Sequence, residues 1–378
     1  MNGIPVARLF GFEIRIHPSW VLIVAFITVV VVGQLDEQAP DLPVAGRWVM
    51  GVVIAAAFLL SVLAHELGHG VAARRRGLDV GPITVYFFGG SASFHLESER
   101  PRDEAVIALA GPLVSLAIGG GLAIVGFAAS FTSVVVVQAI GGVATVLAAL
   151  NLLLGGANLV PAYPLDGGRL VRAIVWARSG DERKGSRVAA MTGRASSWVL
   201  LGAGFAIILA RDTWDGLMLG LSGWFLGSAS RAIIRRLDVQ DLLQGLSVGD
   251  VMERGVSSIP PNLTVDTFAQ RVLDGSDAPA LPVVSDEQIV GIVGIAQLRR
   301  LRRGSWSTTR AEDLMVAPPL LPIVAAGDTL WSALDRLRRT GLDGLPVAEG
   351  AGLLGVVTRQ AILATVQSRA RLRGISLR

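Results

Sequence analysis

The stretch 48–76, WVMGVVIAAAFLLSVLAHELGHGVAARRR, decides how this chain is read. From 48 to 64 it carries no charge, and Arg74-Arg75-Arg76 closes it. That is the pattern of a membrane-spanning helix. Inside it sits His65-Glu66-Leu67-Gly68-His69. Ionisable groups at that depth are expensive and persist mainly where they pair, line a wet cavity or do chemistry. Histidines at i and i+4 share one helix face at the spacing of two zinc ligands, and the intervening glutamate reaches a water beside the metal. The stretch is therefore read as part of a hydrolytic zinc site built into a membrane protein.

The rest of the composition agrees. Of 378 residues, 52% are hydrophobic and only 17% charged, too apolar for an ordinary soluble domain. Forty-five glycines suit close helix packing in lipid. With no cysteine, disulfides, thiolate ligands and a cysteine nucleophile are excluded. The net charge of +4 comes from bases placed in particular loops, a membrane-orientation pattern with no sign of nucleic-acid binding. The first 19 residues lack a basic start, apolar core and cleavage site, so insertion is expected to use the first span.

Six apolar segments predict spans at about 16–33, 48–73, 105–129, 134–154, 195–210 and 214–234. The first and fifth are short, and the fifth can start earlier if Arg194 snorkels to the interface. Arg8 and Arg15 precede span one, and Arg74 to Arg76, Arg100 and Arg102 follow span two. Seven bases follow span four, and Arg231, Arg235 and Arg236 close span six. The intervening loops are acidic or neutral. This alternation predicts a multi-pass cell-membrane protein with both termini cytoplasmic. The HELGH motif then lies toward the cytoplasmic end of span two. Residues 80–94, with Ile83, Val85, Tyr86 and Phe87 before Gly89-Gly90, predict a short re-entrant β-hairpin. Its free edge suits strand addition by an unwound substrate.

After about Gly245 the long apolar runs stop and the sequence repeats itself. Asp250-Val251-Met252 matches Asp313-Leu314-Met315, Leu281-Pro282-Val283-Val284 matches Leu345-Pro346-Val347-Ala348, and Gly291-Ile292-Val293-Gly294 matches Gly355-Val356-Val357-Thr358. The offset is 63 residues for the first match and 64 for the others. Each copy reads strand–helix–strand–strand–helix, and the two are expected to pack as a pair because neither buries its apolar face alone. This tail resembles a tandem CBS-domain pair, a module that in many proteins binds adenine nucleotides. The family's ribose-binding turn usually runs Ser/Thr-x-x-Asp. Here the turns are Gly294-Ile295-Ala296-Gln297 and Thr358-Arg359-Gln360-Ala361, without the acid. A nucleotide sensor and a structural or homodimerising pair without nucleotide both stay open.

A catalytic zinc needs a third protein ligand. The best candidate is Asp166, in the segment 158–169, NLVPAYPLDGGR, which follows span four on the same predicted side as the HELGH end. Pro161 and Pro164 stop the helix, and Gly167 and Gly168 are expected to let the chain turn tightly beside the metal. HELGH paired with NxxPxxPLDGGR resembles the site-2 protease family of intramembrane zinc metalloproteases. His17-Pro18-Ser19-Trp20 and Ala110-Gly111-Pro112 extend the likeness. The CBS tail, with no room for a PDZ insertion, resembles the subgroup containing the bacterial sporulation-factor protease. The resemblance implies one Zn2+ held by His65, His69 and Asp166, with Glu66 as catalytic base. It gives Asn158 a part in orienting the scissile carbonyl, against a plainer reading as a helix-end cap. Ser115 stands where many relatives carry asparagine, which leaves its role open. His17 is read as structural and His95 as solvated beside Glu97 and Glu99. Arg74 to Arg76 are read as a topology anchor, and Arg299, Arg300, Arg302 and Arg303 as a solvated face.

The fold class expected is a polytopic α-helical membrane protein with six transmembrane helices and a short re-entrant β-hairpin, plus a soluble α/β CBS-pair domain. Its domains are expected at 1–240, 246–304 and 310–370. The activity implied is cleavage of a membrane-anchored transcription factor or anti-sigma factor within or beside the lipid bilayer. A CBS-gated divalent-metal transporter or channel is the alternative, and an inactive scaffold the third reading. Spans three, four and six carry almost no polar residues for a transport path, and the intact ligands and base oppose the scaffold.

Overall fold

The computed structural model describes residues 3–38, 42–86, 89–92, 100–211, 214–273, 278–286, 288–350 and 352–375. Two compact units divide the chain, Met1–Ile234 and Arg235–Arg378. The first opens with strands β1 (Ile4–Leu9) and β2 (Phe12–Ile16) and helices α1 (Trp20–Gln38) and α2 (Val44–Arg75). Strands β3 (Ile83–Tyr86) and β4 (Gly89–Ala92) follow. Then come α3 (Pro101–Ala129), α4 (Val135–Asn158), α5 (Asp166–Ser179), α6 (Glu182–Arg211) and α7 (Trp214–Leu243), whose residues 235–243 fall in the second unit.

Six of these helices, all but α5, are long and apolar enough to cross a membrane. At most 33% of each span's window is buried inside the protein. The remainder exposes large apolar side chains such as Phe26, Leu113, Phe127 and Leu153. A surface of that kind belongs in hydrocarbon. Where helices cross, side chains are small. Gly51 of α2 lies against Thr28, Gly68 of α2 against the Ala110 carbonyl, and Gly155 of α4 against Pro112 and Leu116. Close backbone approach of this sort drives packing where water gives no hydrophobic force.

The span boundaries differ from expectation at several ends. The first helix begins at Trp20 because Phe12–Ile16 is a strand, pairing with β1 antiparallel and with β3 in parallel. His17 caps the turn between them: its Nδ1 lies 2.8 Å from Ser19 Oγ and accepts from the Ser19 N–H at 3.2 Å. The fifth helix starts thirteen residues before 195, at Glu182, and the sixth runs nine past 234, to Leu243. The expected hairpin at 80–94 is present as β3 and β4, with pairing from Ile83↔Ala92 to Tyr86↔Gly89. It is half of a sheet ordered β1-β2-β3-β4. Phe87 and residues 93–99, including His95, Glu97 and Glu99, lie outside the described residues.

In the second unit the duplication is visible in backbone pairing. Its elements are β5 (Glu253–Arg254), α8 (Val265–Leu273), β6 (Ala280–Ser285), β7 (Gln288–Gly294), α9 (Ile295–Leu298), α10 (Ala311–Leu314), α11 (Leu330–Thr340), β8 (Gly344–Glu349), β9 (Gly352–Thr358) and α12 (Arg359–Leu372). The β6–β7 ladder runs from Ala280↔Gly294 to Ser285↔Gln288 with an irregularity at Val283/Val284. The β8–β9 ladder repeats it from Gly344↔Thr358 to Glu349↔Gly352, with the irregularity at Val347/Ala348. The copies also exchange their leading segments. Glu253, ahead of the first copy, pairs with Val356 of the second, and Val316, ahead of the second, bridges to Ile292 of the first. Among the described residues three cores result, the first around Phe268, Leu281 and Val293, the second around Leu334, Leu345 and Val357, and a smaller third around Val265, Ala269 and Leu298. The second core also buries Leu242 and Leu243 from the end of α7, and Arg369 donates to the carbonyls of Leu242 and Gln244 at 3.0 and 3.1 Å.

Candidate metal centre

His65 and His69 sit one turn apart on α2, 3% exposed each, with ring centroids 4.9 Å apart in an edge-on arrangement. The third group arrives from a segment 97 residues downstream of His69. After Asn158 the helix α4 ends, and 159–165 runs through Pro161 and Pro164 to deliver Asp166 as the first residue of α5. Gly167 and Gly168 were expected to allow a tight turn, and they stand in the first turn of α5 directly after it. They are helical, and a Cβ on Gly168 would lie 2.6 Å from the Tyr163 nitrogen, while one on Gly167 would strike the carbonyls of Leu159 and Val160. Their role is close packing of α5 on the segment that precedes it.

Asp166 Oδ2 lies 3.2 Å from His65 Nε2 and 3.1 Å from His69 Nε2, and the two Nε2 atoms are 3.2 Å apart. A tetrahedral zinc with bonds of about 2.0–2.1 Å sets its ligand atoms roughly 3.3–3.4 Å from one another. The chemistry of the set fits as well as its spacing. His69 Nδ1 lies 2.7 Å from the Ile107 carbonyl, which can only accept, so Nδ1 carries the proton. In the neutral ring Nε2 therefore points a lone pair at another lone pair, on Asp166. Such a buried convergence of acceptors repels unless a proton or a metal cation sits among them. Space is reserved too. Gly111 of α3 faces the pair, and a Cβ there would lie 2.6 Å from His69 Cε1 and 2.7 Å from His65 Nε2.

Glu66 is buried next to His65 on α2. Asn158 is half-buried, and its amide donates back to the Leu154 carbonyl at 2.9 Å, so the side chain lies on its own helix. Ser115, left without a role by the sequence, is fully buried with Oγ 2.9 Å from His65 Nδ1. Glu104, 1% exposed, accepts from Arg169 Nε at 3.0 Å and pairs with Arg172 at 3.4 Å. Its place in the sequence, beside Asp103 at the head of a helix that is apolar from Ala105 onward, gave no sign of which of the two acids is buried. Burial opposes the charge of Asp166, but the imidazoles beside it more than offset that and hold the carboxyl at about 2. Burial likewise works against Arg169, and the Glu104 carboxylate holds its guanidinium above the ordinary value.

The chain has relatives among known proteins. Residues 53–145 and 130–200 match peptidase family M50, and residues 248–304 and 311–368 match the CBS domain. The chain is 36% identical over 362 residues to "Putative zinc metalloprotease Rip3" of Mycobacterium tuberculosis (strain ATCC 25618 / H37Rv), covering 94% of this chain and 91% of that one. It is 28% identical over 372 residues to "Zinc metalloprotease MJ0392" of Methanocaldococcus jannaschii, covering 96% and 95%. The solved "Site-2 Protease from Methanocaldococcus jannaschii" aligns at 27% identity with a TM-score of 0.41, over 61% of this chain and 94% of that one. With a relationship that runs nearly end to end, the chain belongs to peptidase family M50, the site-2 proteases, as a multi-pass membrane zinc metalloprotease with a CBS-domain pair.

Proposed function

We propose that His65, His69 and Asp166 hold one zinc ion per chain, that Glu66 is the catalytic base and that Asn158 assists at the scissile carbonyl. The observation that carries this reading is the buried triangle of Nε2, Nε2 and Oδ2 atoms, closed to 3.1–3.2 Å. When bound, zinc supplies a Lewis acid that acidifies water and polarises a carbonyl. Glu66 takes the proton of the attacking water and passes it to the departing amine, acting as base and then as acid. Asn158, once released from the Leu154 carbonyl, offers Nδ2 to the developing oxyanion. Burial of His65, Glu66, His69 and Asp166 excludes bulk water and strengthens each of these interactions.

The substrate of this reading is a transmembrane or membrane-proximal segment of an anchored regulatory protein, of the transcription-factor or anti-sigma-factor type. A helix hides its carbonyls in its own hydrogen bonds, so the segment unwinds before attack. β4, at the end of the sheet order, is the strand proposed to receive it by edge addition. Loop charges support cytoplasmic termini and a cytoplasmic CBS pair in the cell membrane. The pair is proposed as a structural, homodimerising module without adenine nucleotide. At the two turns that would hold ribose, Gln297 Oε1 accepts from the Gly294 N–H at 3.0 Å and Thr358 Oγ accepts from the Ala361 N–H at 3.1 Å.

The test is Glu66→Gln in purified, zinc-loaded chain acting on single-span reporters, with proteomics of membrane-released fragments in cells. Cleavage should fall by about 10²–10⁴-fold while zinc stays bound. Asp166→Asn should lose metal and activity together. Full cleavage by Glu66→Gln would overturn the reading, and zinc flux into liposomes insensitive to that change would favour transport.

A further inference from the structure

α3 supplies no atom to the triangle, yet it touches what supports every member of it. Glu104, Ile107, Gly111 and Ser115 recur at three- and four-residue spacing, so they share one face of the helix. At one end of that stripe Ser115 Oγ meets His65 Nδ1, and in the middle the Ile107 carbonyl meets His69 Nδ1. Gly111 lies between them and contributes only space. At the other end Glu104 holds Arg169 and Arg172. Arg169 is three residues after Asp166, on the next turn of α5 and on the same face. We propose that α3 is the alignment rail of the metal centre, with Ser115 and Glu104 as positioning residues, the first for the His65 ring and the second for the Asp166 carboxylate.

The two histidines are fixed by unequal means. The partner of His69 is a backbone carbonyl, which admits one tautomer and cannot be removed by substitution. The partner of His65 is a hydroxyl, able to donate or accept. Only when Nδ1–H donates to Ser115 Oγ does Nε2 keep its lone pair for a metal. Without Oγ that buried N–H has no other partner among the described residues, and the competing tautomer, with its proton on Nε2, blocks coordination. Glu104 acts at one remove. It neutralises two guanidiniums on consecutive turns of α5 while itself 1% exposed. Arg172 has a second carboxylate, Glu182, at 3.4 Å. With Glu104 uncharged, that nearby acid competes for the α5 arginines, and the first turn of α5, which begins with Asp166, shifts with them.

The proposal rests on the ligand assignment above, so its test includes Asp166→Ala as a reference. Full-length protein in detergent is stripped of metal, zinc affinity is read by competition with a chromophoric chelator, and Co2+ is bound to report ligand geometry in its visible spectrum. Ser115→Ala removes one oxygen atom. It should weaken zinc about 10–100-fold and change the cobalt spectrum, with little effect on thermal unfolding of the metal-free protein. Ser115→Thr, which keeps the hydroxyl, should recover most of the lost affinity. Glu104→Gln should show a similar loss, and if it does not fold, Ser115→Ala decides alone. Wild-type affinity and spectrum in Ser115→Ala, with zinc lost from Asp166→Ala, overturn the proposal and leave the ligand assignment standing. A lowered unfolding temperature with unchanged affinity also overturns it, as a merely structural role. Wild-type zinc affinity in Asp166→Ala overturns the assignment itself.

Discussion

At the scale of single residues, Gly111 is the sharpest constraint in the site. A methyl group there would overlap His69 Nε2 and sit 2.7 Å from His65 Nε2, well inside van der Waals distance. Gly111→Ala is expected to push the rings apart, strip zinc as measured by metal analysis of purified protein, and cut proteolysis at least about 100-fold. Gly120→Ala and Gly121→Ala, on the same helix with nothing within 4 Å, are the matched controls and should keep metal and activity. His65, Glu66 and His69 were legible as candidates because their chemistry is out of place in an apolar context and their spacing is local, and Asp166, 97 residues beyond His69, because prolines and glycines mark its own segment. Ser115 and Glu104 were not. Their roles depend on distances to residues 50 and 65 positions away in the chain, which no local pattern encodes. The Gly167-Gly168 pair was legible as special, but the particular backbone each one approaches, the Leu159 and Val160 carbonyls and the Tyr163 nitrogen, was not.

Among elements, the spans were read well where hydropathy alone decides and poorly where another force ends the helix. The first span was set to begin at 16, inside β2, because Ile14 and Ile16 are as apolar as the helix that follows. The competing force is pairing with β3 at Ile14↔Ile83 and Ile16↔Val85. The β1–β2 hairpin went unseen for a related reason. Its turn places Phe10 and Gly11 at positive φ, 50° and 78°, and phenylalanine is not a residue that announces such a turn. The β4 edge carries a prediction at this scale. Alternate residues of a strand direct their N–H groups to opposite sides, so of Gly90 and Ser91 one faces β3 and the other faces away. Proline at the outward position should raise KM for a single-span substrate by roughly 3–10-fold, the cost of one lost hydrogen bond, with zinc content intact. Proline at the inward position should lower stability instead. If neither change touches KM, substrate does not add to this edge.

For the whole molecule, the division into a membrane unit and a duplicated tail was legible from composition and from the 64-residue offset. The exchange of leading segments was not, because a repeat shows that two copies are alike without showing that each completes the other's ladder. A chain ended at residue 309 retains every residue of the first copy but loses Val316 and β9, the partners that cross over from the second. Its tail should be digested by trypsin far faster than that of the full chain, whereas self-sufficient copies would leave a resistant fragment. The same crossover sets a schedule during synthesis. Glu253 leaves the ribosome about a hundred residues ahead of Val356, a wait of roughly 5–20 s at ordinary elongation rates. Throughout that interval the newborn tail carries an unfinished ladder, so chaperone demand should peak between the two and vanish once the last strand emerges.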